Sequence, residues 1–174
     1  YHIGARPDHQ VWQGKVYTYE KLQSVCGLGS VTGLHGANCY HDYNPFIPGI
    51  SVRTYTDKEL EEMMEEENTP KEYMGREYTA YQAFQKQRQM ERNMRKTRQD
   101  IKLLEAGEAN EDSIIVKKAR YQLQMQQYKL FSAKMELPEQ MKRVYQDGLG
   151  KVSTGKISER EKQAEKHRLA SSQS

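Results

Sequence analysis

The chain has 174 residues, of which 29 % are charged and 36 % apolar, with a mean hydropathy of −1.00 and a net charge of +3. So polar a composition excludes one fully globular core and favours elongated helices with much exposed surface. The apolar runs are too short for a membrane-spanning helix, and a net charge of this size by itself points to no nucleic-acid partner.

Residues 1–55 read as short strands and tight turns, a small loop-rich α/β head. Val11 and Trp12, then Val16 to Tyr19, place β-favouring residues on either side of Gly14. Glycines 27, 29, 33 and 36 demand loop geometry. Asn44-Pro45 and Ile47-Pro48-Gly49 are turn signals, and Ser51 to Tyr55 reads as a last strand.

Thr56-Asp57-Lys58-Glu59 is a capping box that opens an acidic helix through about Glu67, stopped by Asn68-Thr69-Pro70. Residues 56–68 carry one Lys against seven Asp and Glu, whereas residues 69–106 carry nine Lys and Arg against five acids. Such alternation favours pairing within the chain or with a partner helix, and the acidic face reads as solvated. From about Thr79 to Ala106, Ala83, Gln87, Met90, Met94, Thr97, Ile101 and Leu104 recur in steps of three and four, a narrow helical seam. Gly107 is a natural C-terminal cap. A second helix, from about Asp112 to Met135, presents Ile114, Tyr121, Met125, Tyr128 and Met135, with Ile115, Leu123, Leu130 and Phe131 widening the stripe. The short link between them suits antiparallel neighbours.

The expected architecture is therefore α+β. Residues 1–55 form the head and residues 56–138 an acidic helix with a long antiparallel helical hairpin. Residues 139–174 form a basic, partly disordered tail of linker composition, with a turn or two of helix within 139–147 and a second capping box at Ser158 to Glu161 opening a short helix through His167. Two cysteines are too few for a disulfide framework, and no secretory signal leads the chain, so synthesis in a reducing, intracellular compartment is expected. The start at Tyr1, without Met, suggests a fragment.

The residues capable of chemistry cluster in the head: His2, His9, His35, His41, Cys26 and Cys39. His35, Cys39 and His41 form a compact His-x3-Cys-x-His set, and imidazole with thiolate suits zinc. The paired C-x2-C element of strong zinc motifs is absent, so structural histidines and buried thiols remain the competing reading. Cys39 with His9 or His41 is a further candidate, as a nucleophile–base pair. GLGSVTG lacks the Lys-Ser/Thr of a phosphate loop and reads as a plain loop. Arg6 and Lys15 flank Trp12 either as phosphate binders or as ordinary packing residues. On the long helix, Arg88, Arg92, Arg95, Lys96 and Arg98 make a basic face. The interleaved Glu91 and Asp100 favour a solvated, partner-facing surface over a DNA surface.

GARPDHQVWQGKVY, the later GLHGANCYHDYNPFIPGIS and the following RTYTDKELEE resemble the phage minor capsid protein family, related to the Mu F-like head-morphogenesis domain. The shared boxes fall on Gly4 to His9, Trp12 to Tyr17, Asn38 to His41, Tyr43 to Gly49 and Arg53 to Thr56, with Asp8 where serine is usual. The Gln- and Arg-rich stretch 82–100 looks like the long helix that follows these boxes in the family. The long N-terminal helical region of that family does not precede them here, which again suggests a C-terminal part.

The resemblance implies a structural minor capsid protein of a tailed phage, without enzymatic activity. It would sit inside the head near the portal, in the host cytoplasm during assembly, and act in head assembly and in genome packaging or delivery. Implied partners are the portal or the major capsid protein, with packaged DNA and self-association as further contacts and no membrane. No cofactor is implied beyond the zinc that the head residues suggest. The alternative is a metal-dependent hydrolase or nuclease built on the His/Cys head. Asp8, Asp42 and Glu20 are the acids available as its general base, a thin set for a catalytic centre.

Overall fold

The computed structural model describes residues 1–152, and the expected helix at 158–167 lies outside them. The chain forms two compact units, Tyr1–Gln85 and Lys86–Ser174. Its described elements are α1 (Pro7–Gln10), α2 (Tyr19–Ser24), α3 (Asp57–Asn68), β1 (Lys71–Tyr73), β2 (Arg76–Tyr78), α4 (Ala80–Ala106), α5 (Glu111–Lys134) and α6 (Met141–Val144). The fold is α+β, with the long helices α4 and α5 packed together.

The strands are not where the β-favouring runs suggest. Among the described residues, 1–55 contain no strand; Pro7 opens α1 at its first turn, and the Thr18 hydroxyl caps α2. Val16 to Thr18 stay without a partner strand, and β preference is worth little without one. The sheet is instead the hairpin β1–β2, antiparallel, with Tyr73 opposite Arg76. Met74 and Gly75 turn it with φ of 51° and 73°, the pair of positive values that a two-residue hairpin requires.

The acidic helix α3 starts as its sequence dictates. Thr56 Oγ1 accepts the Glu59 amide at 3.2 Å, and Glu59 Oε2 accepts the Thr56 amide at 2.7 Å. One acid departs from the solvated face: Glu67 is buried, and its Oε2 accepts the Gly4 amide at 3.0 Å. Gly4 has no room for a side chain, because its φ is +73° and a Cβ would lie 2.1 Å from Phe84.

In the second unit, α4 and α5 form the expected hairpin. Gln87 meets Ser132, Glu91 meets Tyr128 and Asp100 meets Lys117, one number rising as the other falls, so the helices run antiparallel. Met94 and Ile101 pack with Tyr121 and Tyr128, while Leu123 and Leu130, expected to widen the stripe, point to solvent. Residues 139–152 join this core through Val144 and Val152.

Arg98 is the largest departure from expectation. It is fully buried, not part of an exposed basic face. Its guanidinium donates to the carbonyls of Val144 and Gly150, holds both Asp147 oxygens at 3.0 and 3.1 Å, and lies 4.7 Å over the Tyr145 ring.

Both long helices end in the same way. At the end of α4 the amide of Ala109 reaches the Leu104 carbonyl and that of Glu108 reaches Glu105. At the end of α5 the amide of Leu137 reaches Ser132 and that of Glu136 reaches Ala133. These are Schellman turns, and the left-handed position falls on Glu108 (φ 49°) and Glu136 (φ 57°) instead of the expected glycine. Gly107 sits one residue too early.

Candidate functional site

Helix α1 and the loop around Cys39 bring the two sequence boxes of the head into contact. The His9 ring lies 4.6 Å from Trp12 and 5.2 Å from His41, and Trp12 lies 4.9 Å from His41. Beneath them Trp12, Cys26 and Leu34 form a small buried cluster, with Tyr17, Leu22, Leu28 and Cys39 packed against it. Burial raises the Cys26 thiol pKa, and the residue serves as a small apolar side chain of that cluster.

Of the three expected ligands, Cys39 and His41 stand together and His35 stands apart. Cys39 Sγ is 3.7 Å from His41 Nδ1. His35 instead turns its Nε2 to Asp42 at 3.0 Å and stacks on Tyr43. The third donor is His9: one ligand atom from each of His9, Cys39 and His41 lies within 4.8 Å of the other two. His9 comes from the first box, thirty residues before Cys39; the sequence offered it as a base for Cys39 and not as a metal ligand.

Gln13, which the sequence did not single out, orients the site. Its side-chain oxygen accepts the backbone amide of His2 at 2.9 Å, which fixes which end of the side-chain amide is oxygen. The same oxygen lies 2.8 Å from His41 Nε2. An acceptor there places the imidazole proton on Nε2 and leaves the Nδ1 lone pair facing Cys39 Sγ. Burial, then the neighbouring His9, His2, N-terminus and Arg6, push the His41 pKa down to about 4, so the ring is neutral at pH 7. His9 Nε2 lies 2.9 Å from the Thr32 carbonyl and 2.5 Å from the Arg6 guanidinium; donation to the carbonyl puts the ring proton on Nε2 and leaves the Nδ1 lone pair for a ligand.

Arg6 also donates to the Thr32 carbonyl and lies 3.5 Å from Asp8, and Lys15 donates to the Val11 carbonyl at 2.9 Å. Arg6 is thus engaged within the head, whereas Lys15 is exposed. An open cleft of about 860 Å³ borders His41, with Tyr1, Trp12, Tyr17, Tyr40, Tyr43 and Tyr55 among its lining. The segment from Tyr40 to Val52 carries neither helix nor strand and exposes Tyr40, Tyr43, Ile47, Ile50 and Val52; Val52 is 90 % exposed. On α4, Arg92 and Lys96 stay exposed, whereas Arg95 donates to the Arg143 carbonyl at 2.5 Å. No described helix is long and apolar enough to cross a membrane.

A family model described as phage minor capsid protein 2 matches residues 1–132. Comparison with curated proteins and with solved structures gave no match.

Proposed function

The chain belongs to the phage minor capsid protein 2 family, and from that premise we propose that it acts by binding within the head, without turnover chemistry of its own. Membership places it among the structural proteins of a phage virion. The finer reading is a component of the capsid interior that docks on the portal or the major capsid protein during assembly in the host cytoplasm. There it would contribute to genome packaging or delivery.

The observation that carries this reading is the family match across most of the chain. The exposed apolar loop from Tyr40 to Val52 supports it, because clustered apolar side chains gain free energy when a partner surface removes them from water. Exposed Arg92 and Lys96 supply a salt-sensitive attraction to an acidic partner or to packaged DNA.

Co-expression with the portal and the major capsid protein of the same phage tests it. The chain should co-purify with one of them. Ile50→Asp together with Val52→Asp should weaken that association at least tenfold without lowering the melting temperature. A chain that binds neither partner, yet cleaves DNA with magnesium, manganese or zinc in a manner abolished by His41→Ala, would refute the reading in favour of a hydrolase.

A further inference from the structure

We propose that His9, Cys39 and His41 form a binding site for a zinc-type transition-metal ion that ties the two boxes of the head together. The inference rests on the arrangement of these side chains and is independent of the virion role.

Three donors of the right kind converge. Zinc holds nitrogen at about 2.0–2.1 Å and thiolate sulfur at about 2.3 Å, so tetrahedral ligand atoms stand roughly 3.3–3.6 Å apart. Cys39 Sγ and His41 Nδ1 are already 3.7 Å apart, and all three ligand atoms fall within 4.8 Å of one another. Side-chain adjustments of roughly 1–1.5 Å would close the set to those distances.

The surroundings are those of a ligating imidazole. A metal-binding histidine donates its second ring N–H to an oxygen that fixes its tautomer and orientation. Gln13 supplies that oxygen to His41, and it is held in turn by the His2 amide. A hydrogen-bonded pair of Cys39 and His41 would account for the 3.7 Å contact alone. It would not account for the buried His9 converging on both.

The charge balance permits a cation. On binding, the Cys39 thiol releases its proton to solvent and the thiolate, with two neutral imidazoles, donates to the ion. Arg6 beside His9 opposes a positive ion, and Asp8 at 3.5 Å from Arg6 offsets part of that charge. Three protein donors leave a fourth position, which a water from the adjoining cleft fills.

The head also has a structural need for such a tie. Its cluster under the site consists of Trp12, Cys26 and Leu34. Small loop-rich units with thin cores are commonly held by metals or disulfides, and Cys26 and Cys39 are both free thiols. A metal would join α1, which carries His9, to the loop at Asn38 to His41, two segments that otherwise meet through ring contacts and the Gln13 hydrogen bond.

The test uses the full chain, freed of metal by chelation and titrated with cobalt(II) and with zinc(II). One equivalent of cobalt should give the intense visible bands of a tetrahedral site together with a thiolate charge-transfer band, and one zinc should displace it. Cys39→Ser should abolish the charge-transfer band, and His9→Ala should weaken zinc binding by about 100-fold or more. Gln13→Leu, which touches no ligand atom of the ion, should weaken it by about 10–100-fold. His35→Ala should bind as the parent does. Zinc should slow alkylation of Cys39 in the parent and raise its melting temperature, and it should do neither in His9→Ala. Circular dichroism of each metal-free variant separates loss of ligand from loss of fold. Absence of the charge-transfer band from the folded parent would overturn the proposal. So would full metal binding in a folded His9→Ala, or its loss in a folded His35→Ala.

Discussion

Replacement of Arg98 by Met probes how far residues 139–152 belong to the helical core. The methionine keeps most of the side-chain volume and removes the guanidinium, so the change is electrostatic more than steric. Four acceptor contacts disappear: the carbonyls of Val144 and Gly150, and both oxygens of Asp147. The Asp147 side chain is 12 % exposed, so its charge would be left nearly buried with no cation beside it and only the Leu149 amide as a donor. Removing one partner of a buried ion pair costs about 3–5 kcal/mol, much of it the penalty on the charge left behind. Loss of about 3–5 kcal/mol in urea unfolding, followed by far-ultraviolet circular dichroism, is therefore expected. Hydrogen exchange should accelerate first at residues 144–152. Asp147→Asn in the same chain should return about 1–2 kcal/mol, because it removes the stranded charge. A loss below about 1 kcal/mol, or strict additivity of the two changes, would refute the buried-clamp reasoning.

Three further changes test the helix ends and the buried acid. Glu108→Gly and Glu136→Gly should each stabilise the chain by about 0.5–1 kcal/mol, read as a rise in melting temperature, because glycine accepts the left-handed backbone that Glu resists. The gain should exceed that of Glu→Ala at the same positions, which removes the charge but keeps the Cβ that resists the left-handed backbone. Glu91 faces Tyr128, with Arg143, Arg95 and Arg88 nearby, and burial raises its pKa above the ordinary glutamate value. Its stabilising contribution is then full below that ordinary value and is lost as pH rises through the raised one. The stability of the parent relative to Glu91→Gln should accordingly fall as pH climbs from about 4, and a pH-independent difference would contradict it.

The helices were legible because a three-four spacing sustained from Ala83 to Leu104 admits few alternatives, and because the Thr56 capping box marks the start of α3 locally; the Asn110 cap of α5 was not read. Arg98 was not legible for a non-local reason. Its place beside Thr97 looks like a solvated flank until Val144, Asp147 and Gly150 fold over it from some fifty residues away. The β1–β2 hairpin escaped because Met74 stands where Asn or Asp usually announces such a turn, although the repeated Glu-Tyr on either side of Met-Gly was a usable signal. In the head, nearness in sequence suggested His35 as the third metal ligand beside Cys39 and His41, with His9 offered only as a base for Cys39. The fold instead carries α1 across to the loop, so His9 occupies that place and His35 is taken by Asp42 and Tyr43. Glu67 shows the same limit, since nothing in a run of glutamates says which one will receive the amide of Gly4.

The two units spend their apolar residues differently, and that difference bears on how the chain works. In the second unit Met94, Ile101, Tyr121, Tyr128, Val144 and Val152 meet one another. In the first, Ile3, Val11, Val16, Val31, Ile47, Ile50 and Val52 stay exposed around a small buried cluster. An apolar surface left open on a thinly packed unit gains from whatever covers it, and a partner that binds only the folded form adds its binding energy to the stability of that unit. A head of modest intrinsic stability would then suffice for the docking role proposed above, provided a partner completes it. The helical unit has a core of its own and the Arg98 clamp, although Leu103, Val116, Leu123 and Leu130 stay exposed on it as well. On this reasoning, among the described residues, the loop from Tyr40 to Val52 is the segment that the proposed docking would stabilise most.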